Sequence, residues 1–214
     1  MKRIGKALME LLYPDRALCL GCGTLSGCRE PWICEECREK LAQSWAGPFP
    51  DRRLNGSAAA YRYAGPAGNL VRAFKYRQVK ELAPIMAREM ARAWSDIADP
   101  AIDCVVPVPM HPKRLRKRGF DHAGVLAEAL CAEIGASAET LIARTWNTPQ
   151  MAKLPEEERK GALNGAFAAS EAAKGRHILL IDDVYTTGET ARTCAKALRR
   201  AGAVSVSFVS FAKG

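Results

Sequence analysis

Two adjacent carboxylates followed by a hydroxyl-rich turn are the residues of this chain best suited to chemistry. Asp182 and Asp183 follow the apolar residues 178–181, and Val184-Tyr185-Thr186-Thr187-Gly188-Glu189-Thr190 comes next. Threonine hydroxyls, a glycine and the free N–H groups at a helix start bind phosphate. Ionised carboxylates accept hydrogen bonds from sugar hydroxyls or bind a hydrated divalent cation. Carboxylates followed directly by a phosphate-binding turn predict a site for a phosphorylated sugar. The alternative is a threonine-capped turn beside two solvated aspartates.

A buried parallel strand is the element that must position this turn. Four successive apolar residues, 178–181, are typical of a strand covered on both faces, and ligands of parallel sheets bind beyond the carboxyl ends of the strands. Apolar strand patterns alternate with helical patterns along the chain after residue 57, which predicts an α/β fold with a parallel sheet. The other predicted strands are 58–63, 104–108 and 204–211, and the predicted helices are 67–74, 83–98, 123–134 and 190–201, with Asp121 as a cap and Gly135 as a stop.

A strongly basic segment follows the predicted strand at 104–108. Five of the six residues from 113 to 118 are cations, namely Lys113, Arg114, Arg116, Lys117 and Arg118. The carboxyl end of this strand shares an edge with the phosphate turn, so we expect a basic loop whose charge converges on that turn. A solvated basic loop is the alternative.

The segment from Arg144 to Phe167 has the length and polarity of a flap. It contains Gln150, Arg159 and the charged run 156–160. Long loops in compact domains are often lids, which suit a reaction that must exclude water. A plain surface excursion is the alternative.

Four cysteines near the amino end have the spacing of a zinc site. Cys19-x-x-Cys22 and Cys34-x-x-Cys37 form two knuckles separated by eleven residues, and two such turns supply the four thiolates of a closed, structural zinc site. Cys28 lies between the knuckles and is left out of this set. A disulfide pair or reduced structural cysteines are the alternatives, and the apolar surroundings of the other three cysteines favour a reducing, cytoplasmic location.

Composition excludes several classes of protein. The 214 residues are 48% hydrophobic, which is too apolar for a disordered chain, and the net charge of +9 favours polyanionic partners. Residues 1–14 have a broken apolar run without a cleavage site, so we expect an amphipathic helix that docks on its own protein, or contacts a membrane, and no signal peptide. No segment has transmembrane length. Neither a P-loop nor a dinucleotide-binding glycine motif is present.

The combination of motifs resembles the ComF family, whose members carry a zinc ribbon and a phosphoribosyltransferase domain similar to that of amidophosphoribosyltransferases. The resemblance covers nearly the whole chain. Its other markers are Phe74-Lys75-Tyr76-Arg77, Val106-Pro107-Val108-Pro109, Arg118-Gly119-Phe120-Asp121-His122, Thr148-Pro149-Gln150 and Arg159. It implies a type I phosphoribosyltransferase domain at 57–214, preceded by an amphipathic helix and zinc ribbon at 1–50.

The resemblance also implies the roles of the site residues. Asp182 and Asp183, the candidate catalytic residues, would hold the ribose of phosphoribosyl pyrophosphate (PRPP), and the segment from Val184 to Thr190 would hold its 5-phosphate. The loop with Pro107, Val108, Pro109, Lys113 and Arg114 would bind pyrophosphate with Mg²⁺, while Arg144, Gln150 and Arg159 would belong to the flap. Such a site acts by electrostatic stabilisation of the departing pyrophosphate, without a covalent nucleophile.

Three functions are consistent with these residues. The first is a PRPP-binding transferase-like protein of DNA uptake, with a helicase-type partner and with single-stranded DNA on Arg114, Arg116, Lys117 and Arg118. The second is a metabolic transferase for a small nucleophile, and the third is a PRPP sensor without catalysis. The sequence begins Met1-Lys2, so we do not expect the amino-terminal cysteine nucleophile with which amidophosphoribosyltransferases release ammonia.

Overall fold

The computed structural model describes residues 18–24, 32–97, 102–145 and 165–214, with only the backbone of Lys117. The described strands are β1 (Trp45–Pro48), β2 (Ser57–Arg62), β3 (Cys104–Pro107), β4 (Ile142–Arg144), β5 (Phe167–Ala169), β6 (His177–Tyr185) and β7 (Ser205–Lys213). The described α-helices are α1 (Glu35–Gln43), α2 (Gly65–Tyr76), α3 (Ala83–Ser95), α4 (Pro112–Arg118), α5 (His122–Ile134) and α6 (Glu189–Arg200), with 3₁₀ turns at Lys80–Leu82 and Glu171–Ala173.

The central sheet confirms the predicted α/β class. Its five strands lie in the order β1-β2-β7-β6-β3. Strands β2, β7, β6 and β3 are parallel, whereas β1 is antiparallel to β2 at the edge. Pro107, the last residue of β3, pairs with Ile181, so these two strands bring their carboxyl ends to one edge of the sheet.

Helices cover both faces of the sheet because the inner strands are apolar on both sides. Leu179 and Ile181 of β6 pack in one core with α2, α3 and α5. Ile178 and Leu180 pack on the other face with α6 and the small antiparallel sheet of β4 and β5. All four of these β6 side chains are fully buried, as expected for a strand inside a parallel sheet.

Strand β6 is longer than the apolar run predicts. It continues to Tyr185, so Asp182 and Asp183 lie within the strand and not in the turn that follows. Asp182 pairs with Ser210 of β7, which is itself buried. Polar residues remain in the ladder here because backbone pairing with β7 does not depend on side-chain polarity.

The basic segment forms a short helix, α4, where the sequence predicts a loop. Pro112 occupies its first turn, where its fixed φ angle suits a helix and its missing N–H costs nothing. His111 caps it, because its Nδ1 accepts a hydrogen bond from the Lys113 amide at 3.2 Å. The helix ends at Gly119, whose φ of 87° is left-handed. The prediction of a loop is therefore wrong.

Helix α5 lies between the cap and stop residues that the sequence predicts. Asp121 is its N-cap residue, but the Asp121 side chain makes no capping hydrogen bond. Gly135 ends the helix with a φ of 69°. Ala123, Leu126 and Leu130 of this helix are buried, so the helix packs on the sheet through one apolar side.

The cysteine segment packs on the core of the sheet. Helix α1 starts directly after Cys34, and β1 then pairs with β2, with Trp45 opposite Tyr61. Leu20 and Leu41 belong to the same core as Leu70 of α2. The division of the chain at residues 50–57 remains a prediction. Among the described residues, no helix has both the length and the apolar character needed to cross a membrane.

Candidate functional site

The turn between β6 and α6 has the backbone of an anion site. It consists of Thr186, Thr187 and Gly188, and α6 begins at Glu189. Gly188 has a φ of 76°, and a Cβ atom there would overlap the ring of Tyr185, so only glycine fits. The first N–H groups of an α-helix have no partner within the helix, so the start of α6 after this turn suits a phosphate.

A small cavity lies in this turn. Its volume is about 30 Å³, which is the room for about one water molecule or one phosphate oxygen. The rest of a larger ligand would therefore lie outside the turn. The lining residues are Asp182, Val184, Tyr185, Thr186, Gly188, Glu189, Thr190, Ala191 and Phe208. The structure thus brings together six of the seven residues predicted for the phosphate segment, with Asp182 beside them.

Tyr185 supports the turn from behind. Its hydroxyl donates to Asp51 Oδ2 at 2.6 Å, and Arg192 Nε of α6 donates to the same oxygen at 2.9 Å. Burial alone would raise the pKa of Asp51, but these hydrogen bonds leave it below its ordinary value. The Tyr185 ring packs on Phe49 and Phe208, with centroids 4.6 and 5.5 Å away. A segment distant in sequence therefore holds the turn in place.

Asp183 is a buried charge with partners from two helices. It is 1% exposed, and Lys75 Nζ of α2 lies 2.7 Å from its Oδ1. His122 Nε2, at the start of α5, lies 3.5 Å from Oδ2, and Oδ2 has no hydrogen-bond partner among the described residues. The carboxylate therefore ties α2 to the end of β6 and faces the start of α5.

The charges around Asp183 perturb one another. Burial lowers the pKa of Lys75 to about 8, although the Asp182 carboxylate opposes this shift. Burial, with Lys75 and Arg118 nearby, lowers the pKa of His122 to about 3, so its imidazole is neutral at pH 7. Strong shifts of this kind in one cluster are typical of functional sites.

Asp182 is the more accessible of the two aspartates. It is half-buried, and its Oδ1 accepts a hydrogen bond from the Asp183 amide at 2.8 Å. Burial raises the pKa of Asp182 to about 6, and Lys75 and Arg118 oppose that rise. Because Asp182 also lines the turn cavity, it is the carboxylate placed to meet a ligand there.

The two aspartates offer oxygen ligands for a divalent cation. Ligand atoms of His122, Asp182 and Asp183 all lie within 4.8 Å of one another. Mg²⁺ prefers oxygen ligands and binds proteins through one or two carboxylates together with substrate oxygens. The donor set fits that pattern, with Asp182 as the readier ligand because Lys75 already contacts Asp183.

The end of β3 lies beside the aspartates, as predicted. The Val108 amide donates to the carbonyl oxygen of Ile181 at 2.9 Å, which fixes Pro107, Val108 and Pro109 next to Asp182. In the helix that follows, Lys113 is exposed. Arg114 is half-buried, and burial together with Arg118 lowers its pKa.

Arg118 faces the aspartate cluster. Its guanidinium lies 5.1 Å from the Tyr76 ring centroid, and Nη1 is 3.4 Å from both ring nitrogens of His122. The neighbouring Arg116 is exposed, and the side chain of Lys117 lies outside the described part of the chain. Arg118, one of the four cations predicted to bind DNA, therefore lies next to the aspartate cluster.

The sequence motifs predicted no role for three residues of this cluster, namely Lys75, Tyr76 and His122. Lys75 and Tyr76 lie in one family marker and His122 in another. The signal available in the sequence was a lysine directly after the buried Phe74, at a position that an apolar helix face would otherwise fill. Sequence spacing alone cannot place that lysine beside a strand more than a hundred residues away.

The base of the predicted flap is a two-stranded sheet. Arg144 of β4 pairs with Phe167 of β5, and its guanidinium lies 5.3 Å from the Phe167 ring centroid. Burial lowers the pKa of Arg144. Gln150 and Arg159 lie outside the described residues, as do residues 1–17 with the predicted amphipathic helix, and Cys28. These predictions stay untested.

The four predicted cysteines meet at one point. The Sγ atoms of Cys19, Cys22, Cys34 and Cys37 lie within 4.8 Å of one another, and all four are unbridged. The Gly21 and Cys34 amides each donate to Cys19 Sγ at 3.3 Å. Amides directed at sulfur stabilise thiolates, and four thiolates in a closed group fit the tetrahedral demand of Zn²⁺. The cluster is therefore suited to a structural zinc ion.

Comparisons with known proteins agree with the resemblance seen in the sequence. No family model matches the chain. It is 31% identical over 196 residues to the "DNA utilization protein YhgH" of Salmonella typhi, which covers 89% of this chain and 81% of that protein. It is 28% identical over 212 residues to the "Competence protein ComFC" of Bacillus subtilis, which covers 92% and 84% respectively.

Solved structures that resemble the chain include an amidotransferase and a phosphoribosyltransferase. One is the glutamine PRPP amidotransferase of B. subtilis, with 18% identity and a TM-score of 0.42 over 61% of this chain and 26% of that chain. The other is the adenine phosphoribosyltransferase of Thermoanaerobacter pseudethanolicus, with 15% identity and a TM-score of 0.40 over 79% and 85%.

Proposed function

We propose that this chain, which belongs to the family of DNA utilization protein YhgH and competence protein ComFC, is a cytoplasmic PRPP-binding, phosphoribosyltransferase-like protein that handles single-stranded DNA. The PRPP site is the turn between β6 and α6 together with Asp182. The single observation that carries this proposal is the glycine turn, which presents helix N–H groups next to two aspartates at the carboxyl edge of a parallel sheet.

Different residues at the carboxyl edge of the sheet suit the different groups of PRPP. The 5-phosphate would bind the amides and hydroxyls from Thr186 to Thr190, and the ribose hydroxyls would donate to Asp182. The pyrophosphate would lie towards the end of β3, near Arg114 and Arg118. Mg²⁺, when bound by Asp182 and ligand oxygens, would supply positive charge next to the departing pyrophosphate.

In phosphoribosyl transfer, the bond between ribose C1 and the pyrophosphate oxygen breaks as the acceptor's bond to C1 forms. Negative charge develops on the pyrophosphate, which leaves with the bonding electron pair. Cations of this chain can stabilise that charge without becoming covalently attached to it. Asp182 would hold the ribose in place meanwhile, and Asp183 would keep Lys75 directed at the site.

The DNA-handling part of the proposal concerns helix α4 and the relatives. Proteins similar to this chain bear the names DNA utilization and competence. Arg114, Arg116, Lys117 and Arg118 give α4 a basic character that suits phosphates of single-stranded DNA, and a helicase-type protein would be the partner. A metabolic transferase for a small nucleophile and a PRPP sensor without catalysis are the other candidates.

Calorimetric titration of the purified protein with PRPP and Mg²⁺ tests the binding. We expect saturable heat for the wild type, at least tenfold weaker binding for Asp182→Asn, and wild-type binding for Asp96→Asn, a matched change at an exposed aspartate. Pyrophosphate release on addition of acceptors would then separate an enzyme from a sensor. The absence of heat with the wild type would overturn the proposal.

A further inference from the structure

Helix α6 carries a second basic surface, which the sequence motifs do not indicate. Four cations of α6 and one from the loop before β2 surround an open depression of about 500 Å³. We define this α6 basic surface by its lining residues, which are Arg53, Arg192, Lys196, Arg199 and Arg200. It lies on the face of the sheet opposite to α2, α3 and α5, because α6 packs against the other core through Cys194 and Leu198.

The spacing of these cations gives one continuous stripe. Arg192, Lys196 and Arg200 are four residues apart on one side of the helix, while Ala191, Cys194, Ala195 and Leu198 are buried on the other. Like charges at this spacing repel each other by a few tenths of a kcal/mol per pair. Among the described residues, the only ion pair that involves these five cations is Arg192 with Asp51. An anionic ligand would relieve this repulsion.

Part of the surface is held in a fixed geometry. The Arg199 guanidinium donates to the Arg53 carbonyl oxygen at 2.6 Å and to Asn55 Oδ1 at 2.7 Å. Asn55 Oδ1 in turn accepts the Val206 amide of β7 at 2.9 Å. The loop from Arg53 to Asn55 is therefore anchored to α6 and to the sheet, so the depression is built before any ligand arrives and less ordering is required on binding.

We propose that the α6 basic surface binds the sugar-phosphate backbone of a nucleic acid. The stripe from Arg192 to Arg200 extends for about 12 Å at about 1.5 Å per residue, which equals about three to four phosphate steps along the axis of one strand of a DNA duplex. Four of the five cations of the α6 basic surface are arginines, whose planar guanidinium groups match phosphate oxygens. No aromatic residue lines it among the described residues, so it recognises charge and not base identity. The inference deepens the DNA-handling part of the proposed function and rests on it.

Binding of a labelled 30-nucleotide single strand, followed by fluorescence anisotropy between 50 and 200 mM KCl, tests this surface. The test variant is Lys196→Glu/Arg200→Glu, whose two positions are exposed and make no hydrogen bond to the loop. At 50 mM KCl we expect at least tenfold weaker binding. The slope of log affinity against log salt should fall by about 1.4, because each lost phosphate contact on a single strand contributes about 0.7.

A matched control has the same change in net charge at another place. Arg88→Glu/Lys40→Glu alters two exposed cations on α3 and α1, and we expect less than a threefold change in affinity with an unaltered slope. If the charge-reversed variant Lys196→Glu/Arg200→Glu fails to fold, the neutral variant Lys196→Gln/Arg200→Gln replaces it. We expect the salt slope to decrease in this variant as well. Equal weakening in test and control, or binding to anionic phospholipid vesicles without binding to DNA, would overturn the inference.

Calorimetry with PRPP on the same variants separates this inference from the proposed PRPP site. PRPP binding that is unchanged in Lys196→Glu/Arg200→Glu, with DNA binding lost, supports both. Salt-sensitive DNA binding through α6 in a wild type that gives no heat with PRPP refutes the PRPP site and leaves the α6 surface standing. Heat with PRPP and DNA affinity unaffected by the α6 changes refutes the surface alone.

Discussion

Asp182 and Asp183 are neighbours in sequence with different surroundings. Asp182 is half-buried and lines the phosphate turn, whereas Asp183 is fully buried and faces Lys75. The sequence prediction gave both aspartates the same role at the ribose. The geometry favours different roles, in which Asp182 contacts the ligand and Asp183 positions Lys75. The motif does not predict this difference, because it depends on how α2 and α5 pack against β6.

Replacement of Asp183 by asparagine should destabilise the whole protein. The Lys75 ammonium, whose side chain is 19% exposed, would lose a charge partner at 2.7 Å. Breaking a buried pair costs about 3–5 kcal/mol, and we expect the lower end because Lys75 retains some contact with water. Urea unfolding measures the loss. Asp96→Asn should stay within about 0.5 kcal/mol of the wild type, and a loss below about 1 kcal/mol for Asp183→Asn would contradict the assignment.

A Gly188→Ala change tests the shape of the phosphate turn. Alanine at a φ of 76° is strained by about 1–2 kcal/mol, and its Cβ would also displace the Tyr185 ring. We expect PRPP binding to weaken at least tenfold in calorimetry. Gly175→Ala is the control, since its φ is 75° and nothing lies within 4 Å of the added Cβ. Equal PRPP affinity in the two variants would show that the turn does not hold the ligand.

At the scale of elements, the cysteine cluster anchors a segment with little core of its own. Cys19 and Cys37 are buried against each other, and Leu20 and Leu41 beside them join the core of the sheet domain. A bound zinc ion would hold this segment in its packed form, because structural zinc contributes about 10–16 kcal/mol to the folding of small modules. Loss of the metal should therefore expose apolar surface on α2.

Metal analysis of the purified protein tests this role. We expect one zinc per chain in the wild type and none in Cys34→Ser/Cys37→Ser, which should also unfold at lower urea concentration. Cys28→Ser should retain one zinc, because Cys19, Cys22, Cys34 and Cys37 already supply the four ligands of a tetrahedral site. Zinc retained in the double variant, or lost from Cys28→Ser, would show that the ligand set is wrong.

The elements themselves were predictable to different degrees. Apolar runs and turn residues predicted the parallel strands and helix α5, since burial and glycine stops leave a direct trace in sequence. Helix α4 was missed because its seven residues are mostly charged and give no apolar periodicity. The Tyr185–Asp51 bond was missed because it joins residues 134 positions apart, which no local pattern records.

At the scale of the whole molecule, the described residues include two separate clusters of cations. The sequence predicts that the surplus converges on the phosphate edge, and Lys75, Arg114 and Arg118 do lie near that edge. The cations of the α6 basic surface lie on the other face of the sheet, so the surplus is not confined to the edge that holds the phosphate turn. Helical periodicity within α6 contained this signal, but five cations spread over two segments form no compact motif.

A crystal structure of the complex with PRPP and Mg²⁺ tests the central claim most directly. We predict that the 5-phosphate lies in the turn from Thr186 to Gly188, against the first amides of α6, with the ribose beside Asp182. Density for PRPP at another place, with side chains of the protein filling that turn, would contradict it.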